Sequence, residues 1–567
     1  MTRQSVVGAP LPRHDALGKV TGATRYPGDL LRPDMLRLKV VFAGRPHARI
    51  VRVDPSAALA HPGVVAVFTA ADVPYNAYGL IDHDQPALCG DEVRFTGDKV
   101  ALVCAESEAA AEAGAKLVQV EYEDLPAVFD VKAALAPGAP LVHAGRGTNQ
   151  LLRLPIRKGD VAAGFAAADV VLEETFTTSW QEHAFLQPEA GIAYLDDAGR
   201  VVVETAGQWL HEDRKQIAQM LGLPEDQVVI RYAAIGGAFG GREDLSVQHL
   251  LALAAWKLRR PVGIVWSRDE SIVGHHKRHP MRIECRWGAT LAGKLTAVEA
   301  TIWADGGAYA STSAEVTKVA TLFANGVYAV PNVAALGYAV YTNNVPSGAF
   351  RGFGAPQAQF ASEVMMTRLA DAIDMDPIEF RRRNLYRDGD IEPTQQPLPE
   401  GVSAVPVLDA CLAEMARQGM KFPRPPAPSP AAAGEGETDR APLAHRHGRG
   451  AGGEGLVRGV GVACGMKNLG YSFGYPEQST ATVELFGRGE IERAVVRIGA
   501  ADVGQGSHLA LRQIAADALE LPLERIEMIT DDSSAAPNAG SASASRMTQM
   551  GGRAVHEAAR QALDQYR

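Results

Sequence analysis

The chain has 567 residues, 46% hydrophobic and 22% charged, with a formal net charge of −10. That composition can bury large cores and excludes a disordered chain, and the length suggests three or four domains. The acidic balance, without a concentrated basic stripe, argues against nucleic acid, and no run of ~18 apolar residues is available to span a membrane.

Met1 to Tyr26 is broken by Pro10 and Pro12 and carries no apolar secretion segment, so the cytoplasm is the expected location. Residues 15–135 alternate strand and helix patterns. Strands are expected at Leu36–Phe42, Val64–Phe68 and Lys99–Cys104, a helix at Glu106–Leu117, and a strand at Val118–Tyr122. This reads as a compact α/β domain over 10–135 with its own core, and Pro137, Gly138 and Pro140 mark its exit.

A second unit spans 145–420. Its strand Val201–Thr205 runs into Ala206-Gly207-Gln208, and a helix follows through Ile217, Met220 and Leu221 to a stop at Gly222 and Pro224. The next strand, Val228–Tyr232, empties into Gly236-Gly237-Ala238-Phe239-Gly240-Gly241-Arg242-Glu243-Asp244, and a helix continues through Val247, Leu250, Leu251, Ala254 and Leu258. Glycines around one Phe let backbone approach a ligand closely. A dinucleotide fingerprint fails here, because Ala238 or Phe239 falls where its middle glycine belongs, and a P-loop fails because Arg242 and Glu243 replace Lys and Ser/Thr. A tight structural turn stays open as the plain alternative.

Further on, His275-His276-Lys277-Arg278-His279 lacks cysteine or carboxylate partners at ligand spacing and sits among cations, which disfavours zinc. A long strand is expected around Leu295–Trp303. A second glycine turn, Ser347-Gly348-Ala349-Phe350-Arg351-Gly352-Phe353-Gly354, then opens a helix that closes at Asp376-Pro377 and the basic trio Arg381-Arg382-Arg383, a helix-end charge set. Residues 421–455, rich in Pro, Ala and Gly, read as a linker.

The last unit, 456–567, echoes the second. A strand at Ala494–Ile498 leads to Gly504-Gln505-Gly506, then Gln513-Ile514-Ala515, Leu519-Glu520-Leu521-Pro522 and a strand at Ile526–Ile529. The earlier copy has Gln208, Gln216-Ile217-Ala218, Leu221-Gly222-Leu223-Pro224 and Val228–Ile230. Two such lobes, each with a Gln at a turn, are expected to face each other across a sizeable polar ligand. The small-residue loop Asn538–Arg546, with Ser541, Ser543 and Ser545, suits a phosphate; a surface loop is the alternative. The five cysteines are scattered, so no iron–sulfur cluster can be ligated at any usual spacing.

Taken together, Tyr122–Val128, Glu182-His183, Gly236–Glu243, Ala349–Gln357, Gly504–His508 and Gly540–Arg546 resemble the molybdenum-binding subunit of the xanthine dehydrogenase / aldehyde oxidase family, the bacterial purine type most of all. The resemblance implies an α+β chain: an N-terminal α/β hammerhead domain followed by two molybdopterin-binding domains, the last incomplete. It implies a molybdenum–molybdopterin cofactor, with the cytosine dinucleotide form as one variant, and a 2Fe-2S centre and FAD carried on partner subunits of a hetero-oligomer. Residue by residue, Gln208 matches a Gln that hydrogen-bonds a molybdenum oxo ligand. Phe239, Gly240 and the Arg351 amide match backbone packed against the metal's ligands, as does Ala544. Gly504, Gln505, Gly506, Ser543, Ala544 and Ser545 match pterin and phosphate contacts. Glu243 matches the carboxylate that binds a purine ring, and Phe353 and Phe473 match the aromatic pair that sandwiches it. Where xanthine enzymes carry an Arg, this sequence has Val319, and Lys318 is the substitute cation. The loop at 350–353 lacks the cysteine of the carbon monoxide-oxidising branch.

The expected reaction is hydroxylation of a purine-like heterocycle of the xanthine/hypoxanthine class, with Gln208, Glu243 and Arg351 at the reacting centre. Aldehyde oxidation within the same family is the alternative. The family's catalytic Glu is expected beyond Arg567, so an incomplete or non-catalytic piece is a further alternative.

Overall fold

The strand Val201–Thr205 pairs in parallel with Val228–Tyr232, in the register Val201↔Val228. Between them runs the helix Leu210–Leu221, whose C-cap Gly222 takes the left-handed conformation at φ 66°. The strand Arg493–Arg497 pairs in parallel with Ile526–Ile529, in the register Ala494↔Ile526, and the helix Ser507–Leu519 connects them. The two halves of the sequence echo are thus the same strand–helix–strand unit. They meet where Tyr232 donates its amide to the Asp531 carbonyl at 2.9 Å and Ser533 to that of Ile230 at 3.0 Å. The computed structural model describes residues 5–420, 460–471 and 476–567. The segment 421–455, read from sequence as a linker, lies outside them.

Among the described residues, a seven-stranded sheet runs in the order Val228–Tyr232, Val201–Thr205, Ala190–Leu195, Val262–Val265, Leu36–Phe42, Lys99–Ala105, Val64–Phe68. The sheet thus continues from the second unit into the N-terminal one, which also keeps an apolar cluster of its own around Ala48, Ile50, Val93 and Val100. Leu36 pairs with Val262 in parallel, and its amide donates to the Pro261 carbonyl at 2.9 Å. One apolar core therefore contains Leu36, Leu38 and Leu102 together with Ile217, Leu250, Val496 and Leu511. Strands buried on both faces read as unbroken apolar runs, as residues 100–105 do, every one of them buried.

A five-stranded sheet, Gln150–Lys158, Asn332–Tyr341, Leu295–Gly307, Met281–Ala289, Val170–Thr177, forms the body of the second unit. The helices Ser313–Leu322 and Ala355–Ala372 share its core through Val316, Val319, Met365 and Leu369. The helix expected to close at the basic trio is two helices: Asp376 caps a second one, Pro377–Asn384, by accepting the amides of Ile378 and Glu379 at 2.9 Å each. All three arginines of the trio lie in its last turn, as expected, and Arg381 is in addition buried and meets Glu363 at 2.9 Å.

Candidate active site

Gln208 sits between a strand end and a helix start, and its side chain is buried. Its Oε1 accepts the amides of Gly240 at 3.1 Å and Arg242 at 3.2 Å, and its Nε2 donates to the Ala542 carbonyl at 3.0 Å. Ala542 returns its own amide to the Gln208 carbonyl at 2.7 Å. One amide side chain thereby joins the first glycine turn to the small-residue loop of the last unit.

The two glycine turns touch. The Arg351 amide donates to the Phe239 carbonyl at 2.8 Å. Gly240 has φ +101°, and a Cβ there would meet the Ala349 oxygen at 2.7 Å, so only glycine fits the crossing. The resemblance aimed the Arg351 amide at a metal ligand; here it is spent on Phe239. Behind the turns, His183 Nε2 bonds the Ala349 carbonyl at 2.8 Å and its ring stacks on Phe350 with centroids 4.3 Å apart. The Arg278 guanidinium lies 3.8 Å from the centroid of the Phe350 ring and donates to the Arg351 carbonyl at 3.0 Å. His275 bonds the Gly241 carbonyl. Burial holds His183 near pKa 3 and pushes His275 lower than usual, so both rings are neutral supports for backbone. Glu182, His183 and His275 bring ligand-type atoms together, but Lys277 takes Glu182 at 2.6 Å.

These loops enclose a cavity of about 800 Å³. Gln208, Phe239, Gly240, Glu243, Arg351, Phe353, Gly504, Gln505, Gly506, Ser543, Ala544 and Ser545 all line it. Four of them hold left-handed backbone without being glycine: Phe239 at φ 54°, Phe353 at 53°, Ala544 at 49° and Ser545 at 57°. Such conformations cost of order 1–3 kcal/mol each and collect at ligand-binding loops. The Ser543 hydroxyl is buried close enough to Glu243 to favour its charged form, and a Cβ on Gly504 would meet nothing within 4 Å. Open backbone, hydroxyls and Gln amides form a wall suited to a polar, phosphate-bearing group.

At one part of the wall Glu243 is 1% exposed. Burial pushes its carboxyl up to about 7, against the Tyr471 hydroxyl, which favours the charged form. The adjacent Asp244 is likewise raised to about 7 by burial, with Ser311 at 2.8 Å opposing. Phe353 stands edge-on to Tyr471, centroids 5.5 Å apart at 68°.

Two assignments fare differently. Lys318 is absent from the cavity: it pairs with Glu315 at 2.7 Å, while Val319 is fully buried in the apolar core of the second unit. Adjacent residues on one helix point about 100° apart, and here the apolar member turned into the core. Phe473 lies outside the described residues. Sequence reasoning missed Tyr471 and Lys467, both on the wall. The aromatic spacing after Gly470 is the available signal for Tyr471, since Tyr471 and Phe473 stand two residues apart.

The chain is similar to known proteins over nearly its whole length. Residues 21–126 match the "Aldehyde oxidase and xanthine dehydrogenase, a/b hammerhead domain" family model, and residues 142–385 and 438–567 match two models of a "Molybdopterin cofactor-binding domain". A protein of Bacillus subtilis, named as one of the chains of a probable xanthine dehydrogenase, is 36% identical over 95% of this chain and 68% of its own length. The nicotinate dehydrogenase large molybdopterin subunit of Eubacterium barkeri is 40% identical over 71% of this chain and 95% of its own. Among solved structures, the aldehyde oxidoreductase of Desulfovibrio gigas superposes with a TM-score of 0.86 at 31% identity, over 98% of this chain and 60% of that one. The chain therefore spans somewhat over half of that enzyme.

Proposed function

The chain belongs to the xanthine dehydrogenase / aldehyde oxidase family of molybdenum hydroxylases, and on that premise we propose that it hydroxylates a purine-like nitrogen heterocycle of the xanthine/hypoxanthine class. The single observation that carries this reading is Glu243, a buried carboxyl on the cavity wall beside Phe353.

The residues present fit a molybdenum–molybdopterin group. Gln208 and the backbone of Phe239, Gly240 and Ala544 would hold its metal end, and Gly504–Gly506, Ser543 and Ser545 its pterin and phosphate. Arg351 serves by tying the second turn to the first. When bound, the group supplies a two-electron oxidation coupled to delivery of a water-derived oxygen. The chain's own residues bind and orient the ring. Phe353 offers an apolar wall, and Glu243 meets the polar ring edge. With a pKa raised to about 7, Glu243 can donate a proton to a ring nitrogen or accept one from a ring N–H within the working pH range.

The electrons leave, in this proposal, through an iron–sulfur subunit and an FAD subunit of a cytoplasmic hetero-oligomer. The scattered cysteines support it, since Cys89, Cys104 and Cys285 are buried singly and none is paired. Among the described residues no helix is long and apolar enough to cross a membrane. Aldehyde oxidation is the second reading, favoured by one observation: Glu243 already has Tyr471 as a partner, so the slot does not require a polar ring edge. Metal analysis of the complex purified from its native cell, with the intact mass of every co-purifying chain, tests the proposal. Molybdenum together with iron–sulfur and flavin chains supports it; a folded complex without molybdenum contradicts it.

A further inference from the structure

The glycine loop of the last unit is held from behind. Gly504, Gln505 and Gly506 line the cavity, whereas Asp502 and Arg13 do not. The Asp502 side chain is 8% exposed, and its carboxylate accepts the amides of Gly504 at 2.9 Å, Gly506 at 3.1 Å and His508 at 3.3 Å. One carboxylate therefore gathers the whole turn, with Gly504 at φ 118° and Gly506 at φ 86°. It also sets a negative charge close behind a wall suited to phosphate, a repulsion that a neighbouring cation can offset.

That cation arrives from residues nearly 500 positions away. Arg13 Nη1 donates to the Gly504 carbonyl at 2.6 Å, and its Nη2 lies 3.7 Å from Asp502. Asp15 aims the same guanidinium, accepting from Nε at 2.8 Å and from Nη2 at 2.7 Å as a bidentate fork. The segment carrying Arg13 is tied along the helix that follows the loop, Ser507–Leu519. Gln513 Nε2 donates to the carbonyls of Val6 at 2.6 Å and Ala9 at 3.2 Å. Asp517 accepts the amides of Val6 at 2.9 Å and Val7 at 3.0 Å, and the Ser5 hydroxyl. No residue of 5–15 is buried, so these polar contacts to the last unit fix the segment's course.

We propose that residues 5–15 form a strap that holds the glycine loop in its cofactor-binding shape, with Arg13 as the positioning residue. Arg13 fixes the Gly504 carbonyl and neutralises Asp502, so that the anionic phosphate of the molybdopterin can rest on the cavity side of the loop. This rests on the reading of Gly504–Gly506 as the wall for that phosphate. A role in loop shape alone would depend on the arginine fork, whereas a counter-charge can also be supplied by the point charge of a lysine.

The test is the rate at which pterin leaves the purified holo-complex, followed by the fluorescence of the released, air-oxidised pterin, with molybdenum per chain measured alongside. The proteins compared are wild type, Arg13→Gln, Arg13→Lys and Gly504→Ala. Arg13→Gln keeps a donor for the Gly504 carbonyl and lacks the charge; it should speed release by about ten-fold, the scale of a hydrogen bond to a charged group. Arg13→Lys keeps the charge and should stay within about two-fold of wild type. Gly504→Ala puts a side chain on backbone at φ 118°, disturbs the loop directly and should also speed release. Release from Arg13→Gln at the wild-type rate overturns the proposal. So does Arg13→Lys as fast as Arg13→Gln, because the fork and not the charge would then matter. The loop variant separates the two readings: fast release from Gly504→Ala with slow release from Arg13→Gln removes the strap and keeps the loop at the cofactor. Slow release from both removes the loop reading as well.

Discussion

The Tyr471 hydroxyl hydrogen-bonds the carboxylate of Glu243, joining a segment near residue 470 to the first glycine turn at a point where both are buried. Tyr471 is itself anchored, because its amide donates to Glu477 Oε1 at 2.7 Å and Glu477 Oε2 accepts from Arg546 at 2.7 Å. The carboxyl proposed to read the substrate is thus set by a chain of contacts from the last unit of the fold. Tyr471→Phe removes the contact that favours the charged form, so the Glu243 pKa should rise above about 7. A pH profile of kcat/KM for a heterocyclic substrate should shift to a higher midpoint in this variant. An unchanged midpoint would separate Tyr471 from the titration.

Glu243 also sets a pH dependence of stability. Its folded pKa is raised from 4.5 to about 7, so the folded chain binds more protons than the unfolded one between those values. Stability from this group is therefore full below about pH 4.5 and is lost as pH rises towards 7. Glu243→Gln keeps the shape and removes the titration. Chemical denaturation at a series of pH values should give a flatter stability curve for the variant over that window; parallel curves would refute the assignment. Asp244 titrates in the same window and remains in both proteins.

The crossing of the two glycine turns admits no side chain. A Cβ on Gly240 would meet the Ala349 oxygen at 2.7 Å and its carbonyl carbon at 2.8 Å, on backbone at φ +101°. Gly240→Ala should cost about 2 kcal/mol or more through strain and overpacking. It should also part Phe239 from Arg351, so molybdenum retained per chain should fall along with Tm. Full molybdenum loading would mean that the crossing does not shape the cofactor wall.

Arg546 staples the small-residue loop. It is buried and donates to the carbonyls of Ala539 at 2.6 Å and Ser541 at 3.0 Å, besides Glu477. Arg546→Met leaves Glu477 without its ion partner and frees those carbonyls, a change of about 1–3 kcal/mol for buried acceptors left unsatisfied. Thermal unfolding of the variant should show a marked fall in Tm. A negligible fall would mean the loop holds its shape unaided.

The glycine turns were legible in the sequence because Gly240 and Gly237 occupy backbone that other residues avoid, and so leave a local signature. Gln208 and Gln505 were legible because a duplicated strand–helix–strand unit repeats its own spacing. The sharing of one core by Leu36 and Val262 was not, since parallel pairing between distant strands leaves no local mark. Lys318 failed for a related reason: periodicity places it on a helix, but packing decides that Val319 faces inward and Lys318 meets Glu315. Tyr471 and Lys467 lie in irregular backbone, where neither helical nor strand period says which side chain turns towards the cavity.

Glu243 carries the purine reading, and one comparison tests it directly: turnover of hypoxanthine and of a small aromatic aldehyde by wild type and Glu243→Ala, each normalised to bound molybdenum. Loss of one charged hydrogen-bonding partner should lower kcat/KM for hypoxanthine by roughly ten-fold or more, with aldehyde turnover within about two-fold of wild type. Equal rates on hypoxanthine in both proteins would contradict the assignment of this cavity to a purine-like ring.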